Sequence, residues 1–245
     1  NIYLAWHENL QKYIIVKKIK DHCVSLVNSR GEADILKELH HMYLPQVYDF
    51  VQIDQEVFTV MDYVPGHDLK YYLDRGQQFD EEQIIIWLKQ LLEVLEYLHT
   101  RTPKIIHCDI KPANIMITEE GNVCLIDFNI SLDGENNKEL VGLSNQFASP
   151  EQVKKADHKL RYGSSEGVPI DGRSDLYSLG AVMYYMMTRI MPNARRLDFI
   201  PISMVGRNLN PYSDGLTNIV DKAMQENPDK RFKSAAKMRE AVNHI

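Results

Sequence analysis

Apolar residues recur at helical spacing through Ile84, Trp87, Leu88, Leu91, Leu92, Leu95 and Leu98, which predicts a long amphipathic helix with one buried face. Asp80 and Gln83, just before that run, have the spacing of a capping box and mark its start. A second run, 176–187 (LYSLGAVMYYMM), is apolar nearly all round and predicts a helix buried on every side. It falls short of the roughly 20 residues a membrane span needs, and its Met and Tyr residues read as core. The N-terminal quarter is patterned differently. Residues 13–20 (YIIVKKIK) form a β-branched run, and 31–41 (GEADILKELHH) carry Ile35, Leu36 and Leu39 on one helical face. Residues 57–68 (VFTVMDYVPGHD) run as a strand into a Pro-Gly break.

The segment 105–117 (IIHCDIKPANIMI) places a polar turn between two apolar anchors, Ile105 and Ile106 on one side and 115–117 on the other. Its Asp, Lys and Asn suit phosphoryl transfer. Asp109 is placed to accept the proton of an incoming hydroxyl, Lys111 to neutralise the moving phosphoryl group, and Asn114 to ligate magnesium. Downstream, an apolar run at 123–126 ends in Asp127, Phe128 and Asn129.

Through His107, Asp109, Lys111 and Asn114 the chain resembles the eukaryotic-type (Hanks-type) serine/threonine protein kinases, of the kind found in bacteria. The resemblance implies that Asp127 binds magnesium and Phe128 packs inward. Asn129 stands where the family has Gly, and Asn tolerates a positive φ better than most residues with a β-carbon. Lys17 takes the place of the phosphate-gripping strand lysine, and Glu32 that of its helical partner. Ile15 replaces the Ala that roofs adenine. Ile2, Ile15 and Met116 are assigned to the adenine site, Met61 to the back of the pocket, the backbone of Asp62 and Val64 to adenine, and Asp68 to the ribose. The family's Gly-rich loop belongs just before Ile2, and residues 2–5 read as the continuation of a complete domain.

Residues 147–151 (FASPE) match the family's Ala-Pro-Glu segment, so 129–149 is the activation region, and Arg231 in 227–232 (NPDKRF) is the expected partner of Glu151. Asp175 matches the residue that holds the catalytic-loop backbone from below, a role compatible with capping its helix. Lys111 with Ser144 follows the serine/threonine pattern. Cys108 replaces an Arg that in many relatives binds an activation-loop phosphate, so the expected activity does not depend on loop phosphorylation through this contact. Ser131, Ser144 and Ser149 are candidate autophosphorylation sites. Residues 163–171 (GSSEGVPID) read as an exposed loop.

Composition narrows the partners. The 245 residues can bury a substantial core, and a net charge of −6 gives no support to nucleic-acid binding or to membrane contact by this domain. Cys23, Cys108 and Cys124 lack metal-ligand spacing, which favours a reducing cytoplasm. The expected architecture is an α+β, two-lobed protein-kinase-like fold: a β-rich N-lobe over 1–61, a hinge at 62–67 and a mainly helical C-lobe over 68–245. The expected activity uses ATP with Mg2+, or Mn2+ in its place, to phosphorylate protein Ser or Thr hydroxyls. The alternative is a pseudokinase scaffold, argued from Ile15, Asn129 and the Gly-rich loop; a small-molecule kinase fits the Ala-Pro-Glu segment less well.

Overall fold

A computed structural model describes residues 1–19, 30–54, 56–127, 131–132, 146–163, 169–193, 200–204 and 211–245, with 30–33, 131–132 and 203 described by their main chain only. The N-terminal lobe is an antiparallel sheet of β1 (Ile2–His7), β2 (Lys12–Lys18), β3 (Val47–Ile53) and β4 (Glu56–Asp62) in the order β1-β2-β4-β3, with helix α1 (Arg30–Lys37) packed against β3. Strand alternation sorts its side chains. Ile2 faces Lys17 and Leu4 faces Ile15 across the β1–β2 ladder, so these four share one face. The sequence pattern extends α1 to His41, but the helix ends at Lys37. Beyond it the chain turns onto the C-terminal lobe, where Leu39 is buried and the His40 N–H donates to the Tyr97 hydroxyl at 3.0 Å.

The C-terminal lobe is built on α3 (Glu81–His99) and α5 (Gly172–Thr188), with α2 (Leu69–Asp74), α4 (Pro150–Tyr162), α6 (Asp214–Ala223) and α7 (Ala235–Val242) around them. The apolar positions read from the sequence of α3 are all buried, each Leu removing enough apolar surface to contribute about 1.5–3 kcal/mol. α5 is buried all round, as its composition requires. Two helix starts differ from expectation. Asp171 caps α5 by accepting the Arg173 N–H at 2.8 Å, which leaves Asp175 in the first turn with its carboxylate free for other work. Asp80 caps α3 through one arm only, from Gln83 N–H at 2.8 Å, whereas a full reciprocal box forms at Ser149 and Gln152. Among the described residues no helix is long and apolar enough to cross a membrane.

Short strands carry the loops between the lobes. β5 (His67–Asp68), β7 (Ile115–Ile117) and β8 (Val123–Leu125) form one small sheet, and β6 (Ile105–Ile106) pairs with β9 (Ser131–Leu132). α3 holds the β7–β8 hairpin by Trp87 Nε1–H to the Gly121 carbonyl (2.8 Å), Gln90 Nε2–H to Asn122 Oδ1 (2.6 Å) and the Val123 N–H to Gln90 Oε1 (3.0 Å). Gly66, just before β5, has φ +119°, and a Cβ there would lie 2.0 Å from the Ile117 carbonyl oxygen. Only glycine lets the connection between the lobes run this close to β7.

Candidate active site

The turn at 107–114 is rigid because both flanks are buried strands and its own polar groups are paired. Asp109 Oδ2 accepts from Lys111 Nζ at 2.6 Å and from Asn114 Nδ2 at 3.0 Å, and the same amide nitrogen donates to the Asp109 carbonyl at 2.8 Å. The Asn114 amide nitrogen is thus bonded to both the main chain and the side chain of Asp109. His107 is fully buried. The Asp109 N–H donates to its Nδ1 (3.3 Å), so the ring proton sits on Nε2, directed at the Ile126 carbonyl (3.3 Å). Desolvation holds the imidazole pKa below its ordinary value, consistent with a neutral ring.

From beneath, Asp175 Oδ2 accepts the His107 N–H (2.9 Å) and bonds His99 Nε2 (2.8 Å), while Oδ1 accepts the Cys108 N–H (2.9 Å). From the side, Gln152 Nε2 donates to the Cys108 carbonyl at 2.8 Å. Cys108 has φ +64°, a conformation a residue with a β-carbon keeps only under such constraint. The Cys108 thiol, packed with Ile106 and Ile170, is pushed well above its ordinary pKa by burial.

Asp127 follows β8 with φ +65°, and the Ile126 N–H before it donates to the Asn114 carbonyl at 2.9 Å, setting the two oxygen-bearing residues side by side. Lys17, from β2, forms an ion pair with Asp127, so the N-lobe cation and the C-lobe carboxylate meet across the cleft. Of the residues assigned to adenine from the sequence, Ile15 pairs with Met61 in the β2–β4 ladder, and Met116 faces Cys124 in the β7–β8 ladder. Ile2 shares the face of Ile15 and Lys17 and is 66% exposed. Asp68 Oδ1 caps α2 by accepting the Tyr71 N–H at 2.7 Å. The Asp62 side chain, which sequence reasoning passed over in favour of its backbone, is bonded to Lys12, Tyr48 and Gln46. Val64 is half-buried in the connection to β5.

The side chains of Glu32 and Ser131, and residues Phe128, Asn129, Ser144 and Cys23, lie outside the described residues. Ser149 is not the exposed acceptor its loop position implies. It is 0% exposed, and its hydroxyl accepts the Gln152 N–H (3.4 Å) as the cap of α4. The loop at 163–171 is anchored at both ends. Gly163 is the left-handed C-cap of α4, and Ile170 is buried beside Cys108. Glu151 and Arg231 form a buried, bidentate pair with N–O distances of 2.7 and 2.8 Å, and Ser174 Oγ adds a third bond to the carboxylate at 2.6 Å. Burial pushes the Glu151 pKa up, but the Arg231 guanidinium outweighs it and holds the carboxyl below its ordinary range.

Comparison with known proteins matches this geometry to a family. The protein kinase domain family matches residues 1–244. The serine/threonine-protein kinase cds1 of Schizosaccharomyces pombe is 30% identical over 263 residues, covering 99% of this chain and 54% of that protein. A probable serine/threonine-protein kinase of Streptomyces coelicolor is 31% identical over 265 residues, covering 97% of this chain and 37% of that protein. The chain spans about half the length of the curated relatives it matches. Among solved structures, the PknI kinase domain of Mycobacterium tuberculosis superposes with a TM-score of 0.73 at 22% identity, covering 99% of this chain and 89% of that one. The apo form of PpkA-294 superposes at 0.77, again with 22% identity, over 98% and 90%. With the match running almost end to end and the two-lobed fold shared, the chain belongs to the protein kinase domain family.

Proposed function

We propose that this domain transfers the γ-phosphoryl group of ATP to Ser or Thr hydroxyls of protein substrates. The observation that carries this reading is the cluster in which Lys111 Nζ and Asn114 Nδ2 both bond Asp109 Oδ2, at 2.6 and 3.0 Å. Those two donors fix the orientation of the carboxylate that would take the proton of an incoming hydroxyl. Lys111, one bond away, carries the positive charge that offsets the transferring group. The donor set fits magnesium: Asn114 Oδ1 and the Asp127 carboxylate are hard oxygen ligands from adjoining segments, and manganese accepts the same set. When bound, the metal neutralises charge on the ATP phosphates. Lys17 stands opposite Asp127 and would hold the phosphates from the N-lobe, with Glu32 as its helical partner. Ile2, Ile15, Met61 and Met116 would enclose adenine, the Asp62 carbonyl and Val64 N–H would bond its edge, and Asp68 would reach the ribose.

The test is incorporation of γ-labelled phosphate into a generic Ser/Thr protein substrate, with and without Mg2+, beside an Asp109→Asn control. The expected outcome is metal-dependent labelling reduced about 10²–10⁴-fold in the control. Labelling no higher than that of a folded control would overturn the proposal.

A further inference from the structure

Asp62 ends β4, and its carboxylate alters the bonding of its own main chain. In an antiparallel ladder, residue pairs that exchange both main-chain hydrogen bonds alternate with pairs that exchange none. Across from β2, Asp62 faces Ile14. The Ile19 N–H donates to the Val57 carbonyl (2.7 Å), while the Lys18 N–H turns the other way, to the Asn1 carbonyl (2.9 Å). The odd-numbered residues of β2 therefore bond β4, and Ile14 does not. The polar groups of Asp62 face Gln46 instead, and the Asp62 N–H donates to the Gln46 carbonyl at 2.9 Å.

An ordinary pair would be completed by the Gln46 N–H donating to the Asp62 carbonyl. Here that N–H donates to Asp62 Oδ2, at 3.0 Å. The other carboxylate oxygen accepts from Lys12 Nζ at 2.9 Å and from the Tyr48 hydroxyl at 2.5 Å, and the lysine lies over the tyrosine ring at 4.9 Å. Burial pushes the Asp62 pKa up, but the Tyr48, Lys12 and Gln46 donors outweigh it and keep the group ionised at neutral pH.

We infer that the Asp62 carboxylate is a positioning group for the nucleotide: by taking the Gln46 N–H, with Lys12 and Tyr48 fixing its orientation, it releases the Asp62 carbonyl to accept the 6-amino group of adenine. The inference rests on the phosphotransfer reading above and adds a selectivity device to it. A base lacking the 6-amino group gains nothing from the released carbonyl.

The experiment compares KM and kcat for ATP and for purine riboside triphosphate, which lacks the 6-amino group, in the wild type and in Asp62→Ala, Asp62→Asn and Tyr48→Phe. Truncation to Ala returns the Gln46 N–H to the carbonyl, so KM for ATP rises about fivefold to tenfold, the worth of one hydrogen bond. In the same variant the KM for purine riboside triphosphate rises by a smaller factor than the KM for ATP, so the ratio of the two reads the 6-amino contact alone. Asp62→Asn keeps an acceptor for the Gln46 N–H and recovers most of the affinity for ATP. Tyr48→Phe, which removes one hydroxyl and leaves the strand intact, shifts KM for ATP in the same direction by a smaller factor. Equal rises with both nucleotides, or an unchanged KM for ATP in Asp62→Ala, would overturn the inference and leave the phosphotransfer reading standing. If the wild type transfers no phosphate, that reading falls by itself. Dissociation constants for the same two nucleotides then replace KM, and the same pattern decides the hinge device.

Discussion

Arg231→Ala should unfold the helical lobe well before the wild type melts. Arg231 is 2% exposed, and each of its five N–H donors has an acceptor: two go to Glu151, and one each to the carbonyls of Gln225, Arg173 and Glu226. Truncation removes all of these and leaves the Glu151 carboxylate buried with Ser174 as its remaining side-chain donor. Breaking one side of a buried pair costs about 3–5 kcal/mol. A chain of this size loses about 2–4 °C of melting temperature per kcal/mol, so the expected drop is about 6–20 °C. Circular dichroism melts at neutral pH would measure it. Arg231→Lys keeps the charge but not the planar fork and should recover less than half of the loss. The double variant Glu151→Leu/Arg231→Met removes both charges and should melt above Arg231→Ala, since no lone carboxylate remains. A single Ala variant melting within about 2 °C of wild type would refute the argument.

Acid should weaken the fold in two steps. His107 has a folded pKa depressed by burial, so its contribution is full above about pH 6.5 and is lost as pH falls through the folded value. Glu151, whose Arg231 partner outweighs its burial, adds stability above about pH 4.3 that is lost on further acidification. Urea midpoints should decline from about pH 6.5 downward, and His107→Phe should flatten the first step; a level profile between pH 7 and 5 would contradict this. Gly66→Ala should cost about 2 kcal/mol or more, from both the positive φ and the 2.0 Å approach to Ile117, and an unchanged urea midpoint would disprove the crowding. The buried thiols of Cys108, well above its ordinary pKa, and Cys124, pushed up to about 12 by burial, should resist thiol reagents at pH 8 until the protein unfolds. Mass spectrometry finding either one labelled in the folded protein would refute that.

What the sequence made legible was local or tied to a fixed spacing. The period of 3.6 in α3 and the all-apolar run of α5 gave the helices, and the spacing of Asp109, Lys111 and Asn114 gave the turn. Pairing of Glu151 with Arg231, 80 residues apart, was reachable only through family resemblance. Three features stayed hidden for the same physical reason. Gln152 looks like any polar residue in a first helical turn, His99 like a C-terminal cap, and Asp62 like a strand end, yet each spends its side chain on a partner brought near by tertiary packing. The misplaced start of α5 arose differently. Asp171 and Asp175 are both plausible caps one turn apart, and only the demand of the His107 and Cys108 N–H groups for a carboxylate decides between them.

The double grip on residue 108 has an evolutionary consequence. Its amide hydrogen is held by Asp175 and its carbonyl by Gln152, so the backbone leading to Asp109 takes its shape from neighbours and not from whichever side chain position 108 carries. That position can therefore change identity while the aspartate beside it keeps its aim. The identity of side chain 108 and the aim of Asp109 can drift independently, although the two residues are joined by a single peptide bond.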